Sequence, residues 1–200
     1  MRDRDLVRLY WPAALRPAFD ALFDIDDAMA DVVARSTEPA LAAIKLAWWR
    51  ERLEELDHGK VPAEPRLQAA ASELVSRGIS GAELAGLEEG WAVLLQQNVD
   101  MNVLLSRGAV LFALAARLID ADPPGTLAVA GGIYAAGGIT RRGLMPPDVP
   151  VTSWVPPIPG AFRRLTMLAA LSRRDLSRRE PEATPGRAWT LLRHRLTGRI

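Results

Sequence analysis

The chain contains no cysteine and only two histidines among its 200 residues. Without cysteine it has no disulfide framework, no thiol nucleophile and no thiolate ligand for zinc or an iron–sulfur cluster. The two histidines, His58 and His194, leave little for a histidine-based metal site or a Ser-His-Asp triad. The remaining composition, 49% apolar and 24% charged, is that of an ordinary folded protein.

A long uninterrupted apolar segment is also missing. The most apolar stretch, residues 103–119, contains Arg107 and Arg117. A membrane-spanning helix would bury at least one of them in hydrocarbon, at a cost of several kcal/mol. The charged N-terminus, Met1-Arg2-Asp3-Arg4-Asp5, lacks the apolar region of a signal peptide. We therefore expect a cytoplasmic protein in which the apolar stretch is a core helix.

Acidic and basic side chains are separated along the chain, although the net charge is only +1. Residues 1–140 carry 13 basic and 20 acidic side chains, whereas residues 141–200 carry 12 basic and 4 acidic ones, giving net charges of −7 and +8. The basic end either packs on the acidic part of the same chain or meets an anionic surface. Nucleic acid is not an expected partner, because no aromatic residues alternate with the arginines.

The secondary-structure signals are nearly all helical, because alanine and leucine dominate and strand-like alternation is missing. Prolines, glycines and capping residues predict seven or eight helices, at about residues 16–35, 38–57, 65–77, 80–97, 103–120, from 122 onward, 160–179 and 185–197. Ser80 and Glu83 have the spacing of a capping box. We predict an all-α domain over residues 1–200, with residues 143–160 as a proline-rich connection and residues 160–200 as a basic helical end.

Two glycine pairs fall in the predicted helix that begins at residue 122. They are Gly131-Gly132 and Gly137-Gly138, and each internal glycine costs a helix about 1 kcal/mol relative to alanine. Either another helix approaches closely here, or the segment is short and irregular.

Aspartates form a stripe on the first predicted helix, at spacings of 4, 3 and 4 residues: Asp20, Asp24, Asp27 and Asp31. The opposite face is apolar and should point at the core: Leu15, Phe19, Leu22, Met29 and Val33. The stripe is therefore typical of a solvated face. Asp27 and Asp31 nevertheless have the spacing of two carboxylates that share Mg²⁺ and through it a diphosphate. Asp26 falls among the apolar positions, and it needs a partner if it is buried.

The second predicted helix carries two adjacent tryptophans, which cannot share one face because neighbours lie about 100° apart. One apolar stripe consists of Leu41, Ile44, Trp48 and Leu56, with Trp49 beside it. The stripe predicts core packing; the alternative is an apolar wall for a chain-like ligand with an anionic head. The candidate ligand-binding residues are Lys45, Trp48, Trp49, Arg50 and Arg52.

The run Glu38-Pro39-x-Leu41-x-x-Ile44-Lys45-Leu46-x-Trp48-Trp49-Arg50 resembles a signature of the squalene/phytoene synthase family. Further parts of the chain are similar to that family: Tyr10-x-Pro12 with residues 15–18 and 21–23, the pattern from Leu104 through Gly108 to Leu118, and residues 193–199. The resemblance implies a helical bundle of the isoprenoid synthase type. In that family two aspartate-rich motifs hold Mg²⁺–diphosphate while two isoprenoid diphosphates are joined.

Both aspartate-rich motifs depart from the family pattern. When the chain is aligned by the surrounding resemblance, the first motif falls at residues 30–35, which contain no pair of carboxylates one turn apart. The second motif falls at residues 131–143, which contain Arg141-Arg142 and no acid. This departure resembles a branch that includes a mitochondrial assembly factor for respiratory complex I. The resemblance implies a protein that has lost catalysis, needs no cofactor and binds a protein partner or an isoprenoid-like ligand. The alternative is an active Mg²⁺-dependent prenyltransferase that condenses isoprenoid diphosphates, with metal-ligand candidates Asp26, Asp27 and Asp31.

The basic end of the chain also predicts a contact with an anionic surface. Arginines alternate with apolar residues on the predicted helix 160–179: Arg163, Arg164, Arg173, Arg174, Arg178 and Arg179 with Phe162, Leu165, Leu168, Ala169 and Leu176. Such a helix can lie on anionic lipid, as at the inner membrane, or on an acidic partner. The alternative is that it docks onto acidic helices of the same chain.

Overall fold

The computed structural model of the chain describes residues 3–144, 155–178 and 180–200. None of these residues lies in a β-strand, and the predicted all-α class is confirmed. The α-helices are α1 (Asp3–Arg8), α2 (Arg16–Arg35), α3 (Pro39–Leu56), α4 (Pro65–Glu73), α5 (Gly81–Ala85), α6 (Leu87–Ala92), α7 (Met101–Arg117), α8 (Gly125–Arg141), α9 (Met167–Asp175) and α10 (Pro185–Thr197). Across the part of the chain covered here, no helix combines the length and the apolar character needed to cross a membrane.

The predicted helix boundaries hold approximately for the long helices and fail for three others. The helix expected at 65–77 ends as α4 at Glu73 and is followed by a 3₁₀ turn at Val75–Arg77. The helix expected at 80–97 is divided into α5 and α6, followed by a 3₁₀ turn at Val93–Leu95. The helix expected at 160–179 is shortened to α9, after a 3₁₀ turn at Gly160–Phe162, and α1 was not predicted. Residues 145–154 of the proline-rich connection, and Arg179 of the basic end, lie outside the described residues.

The start of α5 is held by two sets of capping bonds. The predicted capping box is present, because the Ser80 hydroxyl accepts from the Glu83 amide at 3.1 Å and the Glu83 carboxylate accepts from the Ser80 amide at 2.8 Å. The Asp57 carboxylate, just past the end of α3, accepts from the amides of Gly81 at 2.6 Å and Ala82 at 2.9 Å. These bonds fix the end of α3 against the start of α5.

The chain forms two compact units, Ala13–Arg107 and a C-terminal unit that combines Met1–Pro12 with Gly108–Ile200. Within Ala13–Arg107, α2 packs against α3, α4 and α6, and α3 packs against α5. The core includes Phe19, Leu22, Met29, Leu46, Leu53, Leu67 and Trp91. The apolar face predicted for α2 is buried at Phe19, Leu22, Met29 and Val33, whereas Leu15 is half-buried.

In the C-terminal unit, α9 packs against α8, α10 and α1. The glycines explain how closely its helices approach. A Cβ added to Gly108 of α7 would lie 1.9 Å from the carbonyl oxygen of Gly131 in α8, and one added to Gly137 would lie 2.5 Å from Ser172 Cβ in α9. The close approach of another helix is therefore confirmed at Gly131 and Gly137. The alternative of a short, irregular segment is wrong, because α8 is one continuous helix.

Candidate functional site

A buried ion pair lies in the core of the Ala13–Arg107 unit. The Asp26 side chain of α2 is 2% exposed and that of Arg107 in α7 is 1% exposed, and the guanidinium donates to the Asp26 carboxylate. The indole Nε1–H of Trp91 donates to the same carboxylate oxygen at 2.9 Å. The guanidinium carbon lies 3.9 Å from the centre of the Trp91 ring, which adds a cation–π contact. The expectation that a buried Asp26 needs a partner is confirmed.

Gly90 makes room for this ion pair. A Cβ at Gly90 would lie 2.4 Å from Arg107 Cβ, so only glycine lets the arginine pass beside α6. The Asp26 oxygen that Arg107 and Trp91 share is already satisfied by a cation and an indole N–H. Asp26 thereby serves as a structural carboxylate between α2, α6 and α7.

The other metal-ligand candidates do not join Asp26. Asp27 and Asp31 lie with Asp20 and Asp24 on the less buried side of α2, where all four are half-buried. The Asp31 carboxylate pairs with Arg35 at 3.0 Å, one turn along the same helix. Across the described ranges, no group of three or more His, Asp or Glu side chains is placed to hold a metal ion.

Three of the four residues predicted to enter the core from α3 are exposed instead, and only Leu56 is buried. Leu41, Ile44 and Trp48, which we call the α3 face, are 43%, 67% and 41% exposed. The core side of α3 is formed by Ala42, Leu46, Trp49, Leu53 and Leu56. That set runs along the entire helix at spacings of four and three, whereas the predicted stripe meets charged residues after Trp48. The prediction was wrong for Leu41, Ile44 and Trp48, because the longer apolar stripe determines which side of the helix is buried.

The five candidate ligand-binding residues are divided between different sides of α3. Trp49 is buried, and its ring meets that of Trp48 edge to face at 5.3 Å. Lys45 is exposed beside the α3 face. Arg50 lies about 140° around the helix from Lys45 and reaches Glu88 of α6 at 3.8 Å. Burial raises the pKa of Glu88, and Arg50 opposes that shift.

The last of the five, Arg52, is on the same side of α3 as Lys45 but pairs along its own helix. Its guanidinium meets Glu55 at 3.1 Å and Glu51 at 3.6 Å. The structure therefore brings Lys45 and Trp48 together at one exposed surface, and it assigns Trp49, Arg50 and Arg52 to packing and ion pairs.

The apolar residues of the basic end belong to the core of the C-terminal unit. Phe162, Leu165, Leu168 and Ala169 are buried, and Leu176 is half-buried. Several of the arginines serve the same packing: Arg163 donates to the carbonyls of Ile158 and Leu196 at 3.0 and 2.7 Å, and Arg174 pairs with Glu180 at 2.9 Å. That hydrogen bond from Arg174 lowers the pKa of Glu180.

A second buried ion-pair network ties the C-terminal unit together. Arg187 of α10 is 1% exposed and donates to the carboxylates of Asp175 and Asp3. Burial alone would lower the pKa of Arg187, but its hydrogen bonds to Asp175 and Asp3 raise the pKa above its ordinary value. Arg141 adds contacts to Asp175 and Glu182, both at 3.2 Å. Arg141, which follows the glycine-rich part of α8, thus has a structural role in this network.

Two features of α10 were missed by sequence reasoning. One is the buried Arg187; no pattern around it distinguishes it from the exposed arginines nearby. The other is an exposed apolar stripe, Trp189, Leu192 and Leu196, whose spacing of three and four is visible in the sequence.

Comparison of the chain with protein-family models, with curated proteins and with solved structures finds no match.

Proposed function

We propose that this chain is a non-catalytic binding protein of the squalene/phytoene synthase type, which acts by docking another protein as an assembly factor for a respiratory complex does. The proposal rests on the α3 face. Leu41, Ile44 and Trp48 remain exposed on a helix whose other apolar side is fully packed. Exposed apolar side chains grouped on one surface mark interaction sites more often than isolated ones do.

The use of the aspartates supports a role in binding rather than in prenyl transfer. Asp26 is engaged by Arg107 and Trp91, and Asp31 pairs with Arg35. Ionisation of an isoprenoid diphosphate needs carboxylates that hold Mg²⁺ against the leaving group. In this chain, the positive partners of these two aspartates are arginines.

The partner's chemistry follows from the shape and charge of the α3 face. Its three residues are spaced i, i+3 and i+7 and span about 10 Å of helix, the pattern with which a helix enters an apolar groove. Trp48 is pre-ordered by its edge-to-face contact with the buried Trp49, which makes it the expected hot spot. The exposed Lys45 at the edge of the face calls for a carboxylate on the partner. The partner is therefore a protein with an apolar groove and an acidic rim.

Site-specific photo-crosslinking followed by reconstitution tests the docking. A photoreactive amino acid at Ile44 should capture one protein in the native cells, whereas the same group at the exposed neighbour Ala43, about 100° around the helix, should not. With the captured protein purified, Trp48→Ser should weaken its binding by about 30-fold or more, the loss typical of a hot spot. Ala43→Ser is the matched control, and binding that is equal in the two variants would contradict the proposal.

The same preparation tests the two competing functions. Purified protein incubated with farnesyl or geranylgeranyl diphosphate and Mg²⁺ should give no condensed product. A product abolished by Asp27→Ala with Asp31→Ala would replace the proposal with the prenyltransferase alternative. If the chain instead binds farnesyl diphosphate, and Trp48→Ser abolishes that binding, the α3 face serves an isoprenoid-like ligand rather than a protein.

A further inference from the structure

Helix α10 presents an apolar stripe to solvent on the side opposite to its packed side. Trp189, Leu192 and Leu196 are 66%, 43% and 68% exposed, and we call these three residues the α10 face. At about 100° per residue they fall within about 60° of one another on the helix. The residues that α10 buries are Arg187, Thr190, Leu191 and His194, and their mean direction is opposite.

The packed side fixes this orientation. Arg187 is held by Asp3 and Asp175, and the His194 ring lies 2.8 Å from the Thr166 hydroxyl and 2.9 Å from the carbonyl oxygen of Arg199. If α10 turned to cover Trp189 and Leu196, these buried polar groups would lose their hydrogen-bond partners, and an unsatisfied buried polar group is strongly unfavourable. These contacts keep the α10 face at the surface of the C-terminal unit.

Arginines border the α10 face on both sides. Arg193 lies about 40° from Trp189 on one edge, and Arg195 lies about 60° from Leu192 on the other; both are exposed. Long arginine side chains can keep their guanidinium groups in water while the apolar residues between them enter a nonpolar layer. An apolar centre with basic edges is the arrangement of a helix that lies in the plane of a membrane interface.

On the Arg193 side, the surface continues into a basic cleft between α9 and α10. The cleft has a volume of about 440 Å³, and its lining includes Arg173, Arg174, Arg178 and Arg193. Glu180 accepts from Arg174, and its charge also interacts with that of Arg178. The described lining of the cleft itself contains arginines and no acidic side chain. A cleft of this charge and size fits the phosphate of a lipid headgroup.

We propose that α10 docks on an anionic phospholipid surface. The α10 face enters the boundary between headgroups and acyl chains, the Trp189 ring lies at headgroup level, and the arginine cleft holds a lipid phosphate. The sequence pointed to the segment 160–179 for such a contact, but the apolar residues of that segment are buried. The proposal does not depend on the docking function of α3, because it uses different residues in a different unit.

Vesicle co-sedimentation of the full chain tests the proposal. We expect association with vesicles of phosphatidylcholine and phosphatidylglycerol at low salt, weaker association in high salt, and none with phosphatidylcholine alone. Arg193→Gln with Arg195→Gln should weaken the association about 25-fold, at about fivefold for each arginine. Leu192→Ser with Leu196→Ser should weaken it by about tenfold or more for each leucine. Both double variants change exposed residues, and circular dichroism should confirm that they remain folded.

Matched controls come from the Ala13–Arg107 unit. Ile44→Ser with Trp48→Ser removes a similar exposed apolar surface from α3, and Arg35→Gln with Arg66→Gln removes two exposed charges. Both should leave vesicle association unchanged, while the α3 variant loses its protein partner. Trp189→Phe should abolish the vesicle-induced blue shift of the tryptophan emission, and Trp48→Phe should preserve it.

The possible contrary results each overturn the proposal. Association that is equal for neutral and anionic vesicles, or equal loss in the α10 variants and their controls, removes the role of α10. Binding of polyglutamate without any binding to vesicles assigns the arginine cleft to an acidic protein instead. Failure of the α3 crosslinking experiment has no bearing on these outcomes.

Discussion

Arg107 lies against the face of Trp91, with 3.9 Å between the guanidinium carbon and the ring centre, and both side chains donate to the carboxylate of Asp26. Three separate helices of the Ala13–Arg107 unit meet at this point. Because all three groups are desolvated, removing one leaves the others without compensation.

The first prediction concerns that ion pair. Arg107→Met should lower the free energy of unfolding by about 3–5 kcal/mol, because it leaves the Asp26 carboxylate buried without its cation. Asp26→Leu combined with Arg107→Met should be less destabilising than Arg107→Met alone, since an apolar pair needs no charge compensation. Urea denaturation followed by circular dichroism measures both. A double variant that loses more stability than Arg107→Met would contradict the uncompensated carboxylate as the cause of the loss.

Much of the Asp26 site could be anticipated from the sequence, but its partner could not. An aspartate among apolar positions of an amphipathic helix indicates a buried carboxylate, and Arg107 interrupts the most apolar stretch of the chain. Each of these two sequence features by itself indicates a buried charge. That they meet depends on the tertiary approach of Arg107 past Gly90 to Asp26, which local periodicity does not encode.

The orientation of α3 shows a different limit of sequence patterns. Apolar residues occur nearly all around this helix, so two stripes compete for the core. The sequence predicts a buried stripe of Leu41, Ile44, Trp48 and Leu56, whereas the longer stripe that includes Leu46, Trp49 and Leu53 is buried. Leu56 is the one residue that the two stripes share. Both helix geometry and the capping box were predictable from local chemistry; the choice of packed side was decided by the fit against α2, α5 and α6.

The second prediction concerns the contact between α7 and α8. Gly108→Ala should destabilise the protein by several kcal/mol, because the added methyl group would lie 1.9 Å from the backbone oxygen of Gly131, and backbone cannot move aside as a side chain can. Gly125→Ala, at the start of α8, is the matched control because a Cβ there meets nothing within 4 Å. It should be neutral, or stabilise by about 0.4–1 kcal/mol. Thermal unfolding measures the stability of both variants. An equal loss of stability in Gly108→Ala and Gly125→Ala would contradict the close approach of α7 to α8.

The third prediction is a pH dependence at His194. Burial, partly offset by hydrogen bonds with backbone carbonyls, lowers the pKa of His194 below its ordinary value of 6.5. Its Nδ1–H donates to the Arg199 carbonyl at 2.9 Å, so Nε2 can accept from the Thr166 hydroxyl at 2.8 Å. The unfolded chain binds the proton more readily. The contribution of this group to stability is therefore fully present above pH 6.5 and is lost as the pH falls through the folded pKa.

Thermal unfolding between neutral and mildly acidic pH measures this effect. The wild-type protein should lose stability with a slope of at most about 1.4 kcal/mol per pH unit from this one proton. His194→Gln should flatten the slope in that window, while His58→Gln, which changes the exposed second histidine, should leave it unchanged. A slope that survives in His194→Gln would assign the pH dependence to other groups.

The last prediction concerns Arg187, which joins α10 to Asp175 and Asp3. Arg187→Met should destabilise the C-terminal unit by about 3–5 kcal/mol, because it leaves Asp3 without this cation and leaves Asp175 with only the more exposed Arg141. Arg187→Lys loses the planar guanidinium that donates to two carboxylates at once, but it keeps the positive charge. It should therefore lower the free energy of unfolding less than Arg187→Met does. Since Asp3 also accepts from the Ala183 amide at 3.1 Å and its own amide donates to Glu182, we expect faster amide exchange in α1 as well. The exposed Arg195→Met should change stability by less than about 0.5 kcal/mol. Unchanged exchange in α1 of Arg187→Met would mean that the N-terminal segment is held without this network.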